Sequence, residues 1–390
     1  MIRHRIRLSI VPALCLSLSW AIPALAAQEP PPTQTPPPTQ TPAPSPTPAP
    51  APAPAAGKVF NPDISVNGNF VGAFGKNPFA TLPAMRLSEV EAAFQAVVDP
   101  YARADFYVAI SPEGVEVEEG FITFTSLPGR LQLKAGKMRA QFGKMNTLHT
   151  HSLPSVDRPL VTENLVGGEE GISEAGMSLS HLLNTKALFL ELTGEVYAGN
   201  SEMFQSTKRS ALVYVGRVHG YRDVNDSMNI DFGSSVVFGP TTVGSVDPLA
   251  PDVTTETTDL KRRLIGVDAT FRYRPLERAI YRRLNIRTEL IWSQQEMPDA
   301  VAQEAFGFYV SGEYQFARRW YVGARGDRSG RAQDGQAIDN GGSVFMTFWP
   351  SEFAQIRGQY RRVAFATGER ANEFLFQLNF SIGAHGAHLF

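Results

Sequence analysis

From residue 58 onward, apolar and polar side chains alternate over segments of roughly 10 to 13 residues, the period-two pattern of half-buried strands. Leu188, Leu190, Leu192 and Val196 oppose Glu191, Thr193 and Glu195. Phe308, Val310, Tyr314 and Phe316 oppose Tyr309, Ser311, Glu313 and Gln315, and Leu284, Ile286, Leu290 and Trp292 oppose Arg287 and Glu289. Successive Cβ atoms of a strand point to opposite faces, so each segment has one greasy and one charged side. About 16 such strands can be read. They cover 62–74, 86–98, 101–110, 115–125, 130–139, 171–182, 187–198 and 209–220. The second half covers 228–239, 259–273, 281–294, 305–317, 320–328, 340–349, 352–363 and 371–382. Strands of a soluble sandwich average about 5 to 6 residues, whereas these are long enough to cross a membrane at a tilt.

The connections alternate in length. Asp99-Pro100, Ser126 to Arg130, Leu183 to Lys186, Ala317 to Arg319 and Pro350-Ser351 are short, and most of those between them are longer and more polar. Short periplasmic turns facing long external loops are the rule for outer-membrane barrels. The expected fold is therefore all-β: a transmembrane antiparallel up-and-down barrel of about 16 strands with both ends of the sheet in the periplasm. Tyr221 to Ser227 and Arg274 to Arg282 are longer than this rule expects. Trp320-Tyr321, Phe348-Trp349 and Phe353 lie beside short turns, where an aromatic girdle belongs.

Composition adds an export route. Arg3, Arg5 and Arg7, the apolar run Leu8 to Ile22 and Ala24-Leu25-Ala26 have the order of a secretory signal peptide, residues 1–26. The one cysteine, Cys15, lies in this segment behind the bulky Leu14, which argues against lipidation. Residues 27–57 are rich in Pro, Ala and Thr and read as a disordered, extended linker, with the barrel occupying 58–390. Without the three signal arginines, 33 basic residues face 38 acidic ones, a net charge of about −5, which does not invite nucleic acid.

With that rhythm in place, the chain resembles bacterial outer-membrane porins, and more loosely the phosphate-selective porins, across Asn61 to Phe390. The resemblance is carried by Leu131 to Lys144 leading into a long connection with Asp157-Arg158-Pro159, and by the terminal Phe390. Gly383 to His388 separates Phe390 from the last strand, a departure from the pattern in which that strand itself ends on the aromatic residue. In such porins the corresponding long loop folds inward and narrows the lumen. The resemblance implies a channel for passive or weakly selective diffusion of small hydrophilic solutes or ions, narrowed by the loop 140–170. The alternative is a non-conducting structural or binding barrel. A TonB-dependent receptor would need a plug domain and about 22 strands, more than this length holds.

The candidate pore-lining residues follow from strand parity. The basic set is Arg103, Lys134, Arg217, Arg272, Arg287, Arg325, Arg357 and Arg361. The acidic set is Glu89, Glu91, Asp105, Glu191, Glu195, Asp231, Asp268, Glu289, Glu313, Asp327 and Glu373. The mixture is slightly acidic and forms no anion ladder; salt bridges stiffening the wall explain any one of these as readily. The loop adds Asp157, Glu163, Glu169 and Glu170 as candidate constriction residues. His149 with His151 and His385 with His388 are weak metal candidates, because a zinc site needs three or four ligands and no acidic partner is evident, so no metal is assigned. No phosphate loop or nucleophile elbow occurs, and His181 and His219 have no serine partner in a suitable context, so neither an enzyme nor a cofactor is expected. The expected partners are outer-membrane lipids and lipopolysaccharide and the small solutes or ions. Association into a homotrimer and contact of the proline-rich arm with peptidoglycan or a periplasmic protein stay open.

Overall fold

In the computed structural model, the described residues are 62–79, 83–185, 188–201, 203–206, 208–247, 250–298 and 301–383. The signal segment, the proline-rich arm, His385, His388 and Phe390 lie outside them. Sixteen strands follow in chain order: β1 (Asp63–Lys76), β2 (Arg86–Asp99), β3 (Ala102–Ser111), β4 (Gly114–Leu127), β5 (Leu131–Arg139), β6 (Ser173–Asn184), β7 (Phe189–Tyr197) and β8 (Val213–Asn225). Then come β9 (Met228–Asp247), β10 (Ala250–Tyr273), β11 (Arg283–Gln295), β12 (Gln303–Ala317), β13 (Trp320–Arg331), β14 (Asp334–Ser351), β15 (Ala354–Ala364) and β16 (Arg370–Gly383). Each pairs antiparallel with its sequence neighbours, and β16 returns to β1 from Ser65↔Gly383 to Lys76↔Asn372, which closes the barrel.

Closure is what the alternating pattern demands. An open edge in hydrocarbon leaves backbone N–H and C=O groups without partners at several kcal/mol each, and a closed ladder leaves none. The outer face carries exposed apolar side chains such as Phe106, Met177, Val218, Ile265, Val310, Met346 and Phe374. The inner face carries polar ones such as Glu91, Asp268, Glu289, Arg325, Gln359 and Gln377, all buried against one another or against a loop. Among the described residues no helix is long and apolar enough to span a bilayer; the strands span it instead. A wall greasy outside and charged within belongs in the bacterial outer membrane.

The structure departs from the sequence reading in the connections. Tyr221 to Ser227 is not a long turn: β8 runs on to Asn225 and leaves only Asp226 and Ser227 between strands. Arg274 to Arg282 does stay long and contains a 3-10 turn at Leu276–Arg278. On the opposite rim only Pro112 and Glu113 join β3 to β4, and only Ala332 and Gln333 join β13 to β14. Polar segments there continue the ladder as hairpins; β10 reaches 24 residues, well beyond the roughly 9 to 11 that cross a bilayer. The girdle is also split. Trp320 stacks on Phe348 with ring centroids 4.4 Å apart and is exposed on the outside, whereas Tyr321, Trp349 and Phe353 line an internal cavity.

The parity of the wall yields a test. Val310→Arg, on the lipid face of β12, should lower the unfolding free energy in vesicles by about 2 to 4 kcal/mol if it lies near the midplane. Ser180→Arg, on the inner face of β6 beside Glu191, should change it by no more than about 0.5 kcal/mol. Denaturant titration of the two variants in the same lipid would reverse this order if the faces were exchanged.

Candidate functional site

The connection between β5 and β6 turns into the barrel. Its neck is tied where Ala140 N donates to Ile172 O at 2.8 Å, and the Asn146 side chain bonds Ala140 O, Ile172 O and Ile172 N at 2.8 to 3.2 Å. Arg158 braces the interior of the loop by donating to Met145 O at 2.9 Å and Leu148 O at 2.8 Å. A short helix, α1 (Leu160–Val166), follows Pro159 and ends at Gly167, whose φ of 97° favours a residue without a Cβ. Its Leu160, Val161, Leu165 and Val166 are buried. With Phe142, Met145 and Leu153, the last three join an apolar cluster of inner-wall residues, among them Tyr197, Val237, Leu264, Ile291 and Tyr309, whereas Leu160 packs in a second cluster with Val363 and Ala371.

Polar contacts fix the loop to several arcs of the wall. Gln141 N donates to Glu195 at 2.8 Å, Gly143 N to Ser235 at 3.0 Å, and the N–H groups of Lys144 and Met145 to Glu289. Farther along, Val156 N donates to Gln359 at 2.9 Å and Asn164 to Asp339 at 3.1 Å. In the other direction Arg357 donates to Leu153 O at 2.9 Å, Arg262 to Leu165 O at 3.2 Å and Asn379 to His151 O at 2.9 Å. The wall thus satisfies loop backbone groups that would otherwise need water.

Asp157 is the charged centre of one arc. Arg325 reaches its carboxylate at 2.8 Å and Arg361 at 3.0 Å, and Gln359 donates to its other oxygen. Burial raises the carboxyl's pKa, but the two guanidiniums and these hydrogen bonds outweigh it and hold it at about 2. On another arc His149 meets Glu118 at 2.6 Å and Glu91 at 2.8 Å through Nδ1, and Glu119 at 2.7 Å through Nε2. Burial there lowers the imidazole pKa, and the surrounding carboxylates more than reverse it, leaving it well above its usual value.

The structure brings Arg325, Arg357, Arg361, Asp157, His149 and His151 together with loop or wall partners. It does not bring Arg103, Lys134 or Arg217 to the loop: Arg103 pairs with Asp105 at 2.5 Å, Lys134 sits 4.8 Å over the Phe121 ring, and Arg217 pairs with Asp268 at 2.9 Å. Arg272 is paired with Asp231 at 3.5 Å, and Arg287 faces Glu313 at 3.9 Å in a cavity toward the short-turn rim. Glu163 and Glu170 are exposed, and Glu169 accepts from Thr150 at 3.0 Å. Glu118 escaped the parity reading because β4 bulges there: Tyr107 pairs with Glu119 and Val108 with Val117, so Glu118 is the extra residue. A bulge breaks strict alternation and lets two successive side chains face the same way.

Below the loop, toward the short-turn rim, lies a cavity of about 840 Å³. Lys144, Arg283, Arg287, Arg318, Arg319 and Arg357 line it against Glu313 and Glu352. Its lining is therefore basic, although the inner wall as a whole is not.

This closed sixteen-strand wall with an inturned loop is the porin class of fold. It superposes on the outer-membrane protein OmpT of Vibrio cholerae at a TM-score of 0.56, with 11% identity over 82% of this chain and 97% of that one. The outer-membrane channel DcaP of Acinetobacter baumannii gives 0.53, with 10% identity over 83% and 96%. An anion-selective porin from Comamonas acidovorans gives 0.53, with 10% identity over 82% and 98%. In sequence, an uncharacterized protein of Aquifex aeolicus (strain VF5) is 28% identical over 337 residues, covering 78% of this chain and 70% of the relative. No family model matches the chain.

The Asp157 arc makes a pH prediction. A carboxyl depressed in the folded state stabilises the docked loop above its unfolded pKa of about 4, and that contribution is lost as pH falls through about 2. Limited proteolysis of the folded protein should find the loop resistant at pH 4 and above. Asp157→Asn should make it cleavable already at neutral pH, with a loss of about 1 to 3 kcal/mol in docking. Equal resistance of variant and wild type would show that the arc does not hold the loop.

Proposed function

We propose that this chain is an outer-membrane porin-like channel through which small hydrophilic solutes or ions diffuse passively, with the loop 140–170 as its constriction. The observation that carries the reading is a long connection folded into a closed, charged-walled barrel and bonded to the wall near its start at Gln141, in its middle at Val156 and toward its end at Leu165. A loop held only by apolar packing could swing away; one whose backbone is bonded to the wall sets a fixed aperture. The phosphate-selective resemblance and the basic cavity point the same way on charge: solutes leaving the constriction meet six cations and two carboxylates, which favours anions. The Comamonas acidovorans porin is anion-selective, which agrees with that preference.

Residues 1–26 would direct export, and 27–57 would tether the barrel to peptidoglycan or a periplasmic protein. Three barrels would associate, as the Vibrio cholerae protein does in its trimer form. A second reading, a barrel closed by its loop, is favoured by the apolar cluster around Phe142 and Leu165, which occupies part of the lumen.

Single-channel recording in planar bilayers decides between the two. Discrete conductance steps that grow when 145–166 is replaced by a short Gly-Ser linker support the constriction. Silent membranes with correctly folded protein support the closed barrel. Under a tenfold KCl gradient the reversal potential should take the sign of chloride preference. Arg318→Glu with Arg319→Glu should move it toward potassium, and an unmoved potential would dissociate selectivity from the cavity.

A further inference from the structure

The loop's two histidines meet an acidic patch that the channel reading leaves unexplained. Glu89, Glu91 and His151 are all buried, and their ligand atoms lie within 4.8 Å of one another; Glu91, Glu118 and His149 form a second such group sharing Glu91. His151 Nδ1 is 3.8 Å from Glu89 Oε1 and 3.6 Å from Glu91 Oε2. Four ligands held tetrahedrally at about 2.0 to 2.2 Å from a zinc ion stand roughly 3.4 Å apart, so this triad needs only a small contraction.

Two further observations point to a cation. Glu89 is 6% exposed, yet its Oε1 receives no hydrogen bond, and Oε2 of Glu91, 1% exposed, has to share the Nδ1 of His149 with Glu118. Moreover, Glu118 Oε2 and Glu91 Oε2 both converge on Nδ1 of His149, an atom that carries at most one proton. Glu89, Glu91, Glu118 and Glu119 thus gather four carboxylates about two imidazoles and Arg139, whose guanidinium is 3.4 Å from Glu118. Buried carboxylates cost several kcal/mol each unless they are paired or coordinate a metal.

We propose that Glu89, Glu91 and His151 form a site for a divalent transition metal of the zinc class, with the remaining coordination position left to water, and that the ion staples the inturned loop to β2. Imidazole with carboxylate suits zinc and its first-row neighbours rather than magnesium or calcium, which take oxygen ligands. The staple joins two segments about 60 residues apart in sequence, so a bound ion rigidifies the loop from its histidine end as Asp157 does from the other. The site itself does not require that the barrel conduct.

Isothermal titration of the folded full-length protein in detergent with Zn²⁺ tests this directly. Binding near one ion per chain is expected, with Glu89→Gln and His151→Gln each weakening it tenfold or more and His385→Gln with His388→Gln leaving it unchanged. Because Glu89→Gln keeps size and shape, it stays informative should His151→Gln fail to fold, and the wild-type titration alone decides whether an ion binds. Absence of heat in the wild type, undiminished binding in Glu89→Gln, or displacement of Zn²⁺ by equimolar Mg²⁺ would each overturn the assignment. Calorimetry reads the site whether or not current flows, so its failure and that of the channel reading are separate results.

Discussion

Satisfying the backbone without water is the constraint on which this structure depends. In hydrocarbon an unpaired amide costs several kcal/mol, so sixteen tilted strands must seal their last edge, β16, against their first, β1. The same demand recurs inside. A loop of some thirty residues brought into the lumen exchanges bulk water for the inner wall, and the wall must then supply its hydrogen bonds. It does so with both kinds of group: Glu195, Ser235, Glu289 and Gln359 accept from loop N–H groups, while Arg262, Arg357 and Asn379 donate to loop carbonyls. Period-two alternation therefore serves twice, as the lipid contact outside and as the loop's solvent inside.

The strands were legible because that alternation is forced by the two media. A residue on either face has no intermediate environment, so the sixteen predicted segments all reappear, most with ends shifted by a few residues, while the outer ends of β9, β10 and β14 reach well beyond 239, 259 and 340 to Asp247, Ala250 and Asp334. The connections were less legible, since a polar segment beyond the membrane can either coil or extend the ladder. Asp223 to Asn225, for instance, continues β8 against β9 where turn residues suggested a loop. Local composition does not separate these outcomes; the register of the neighbouring strand does.

The candidate site was legible only in outline. Parity placed Glu89, Glu91, Arg325, Arg357 and Arg361 on the inner face, and the length of 140–170 marked the segment that would meet them. Which wall residue faces which loop residue depends on how the loop enters, and that is set by the Asn146 knot at its neck and the αL residue Gly167. Glu118 was hidden for a different reason. A bulge is a one-residue insertion with no signature in the hydrophobic pattern, and it turned inward a carboxylate that strict alternation assigns to lipid.

The charges show how one docking of the loop is selected over others. The wall is nearly balanced as a whole but segregated in space, with Glu89, Glu91, Glu118 and Glu119 on β2 and β4 and Arg325, Arg357 and Arg361 on β13 and β15. The loop has the complementary order: His149 and His151 come first and meet the carboxylates, and Asp157 follows and meets the arginines. Sliding the loop so that Asp157 approached β4 would bury like charges together in a site of low dielectric, where repulsion is poorly screened. Apolar contacts around Phe142 and Leu165 contribute burial but little direction, because many greasy surfaces fit one another. The ion pairs at the two ends are directional, and a loop anchored at opposite charges is held in one register.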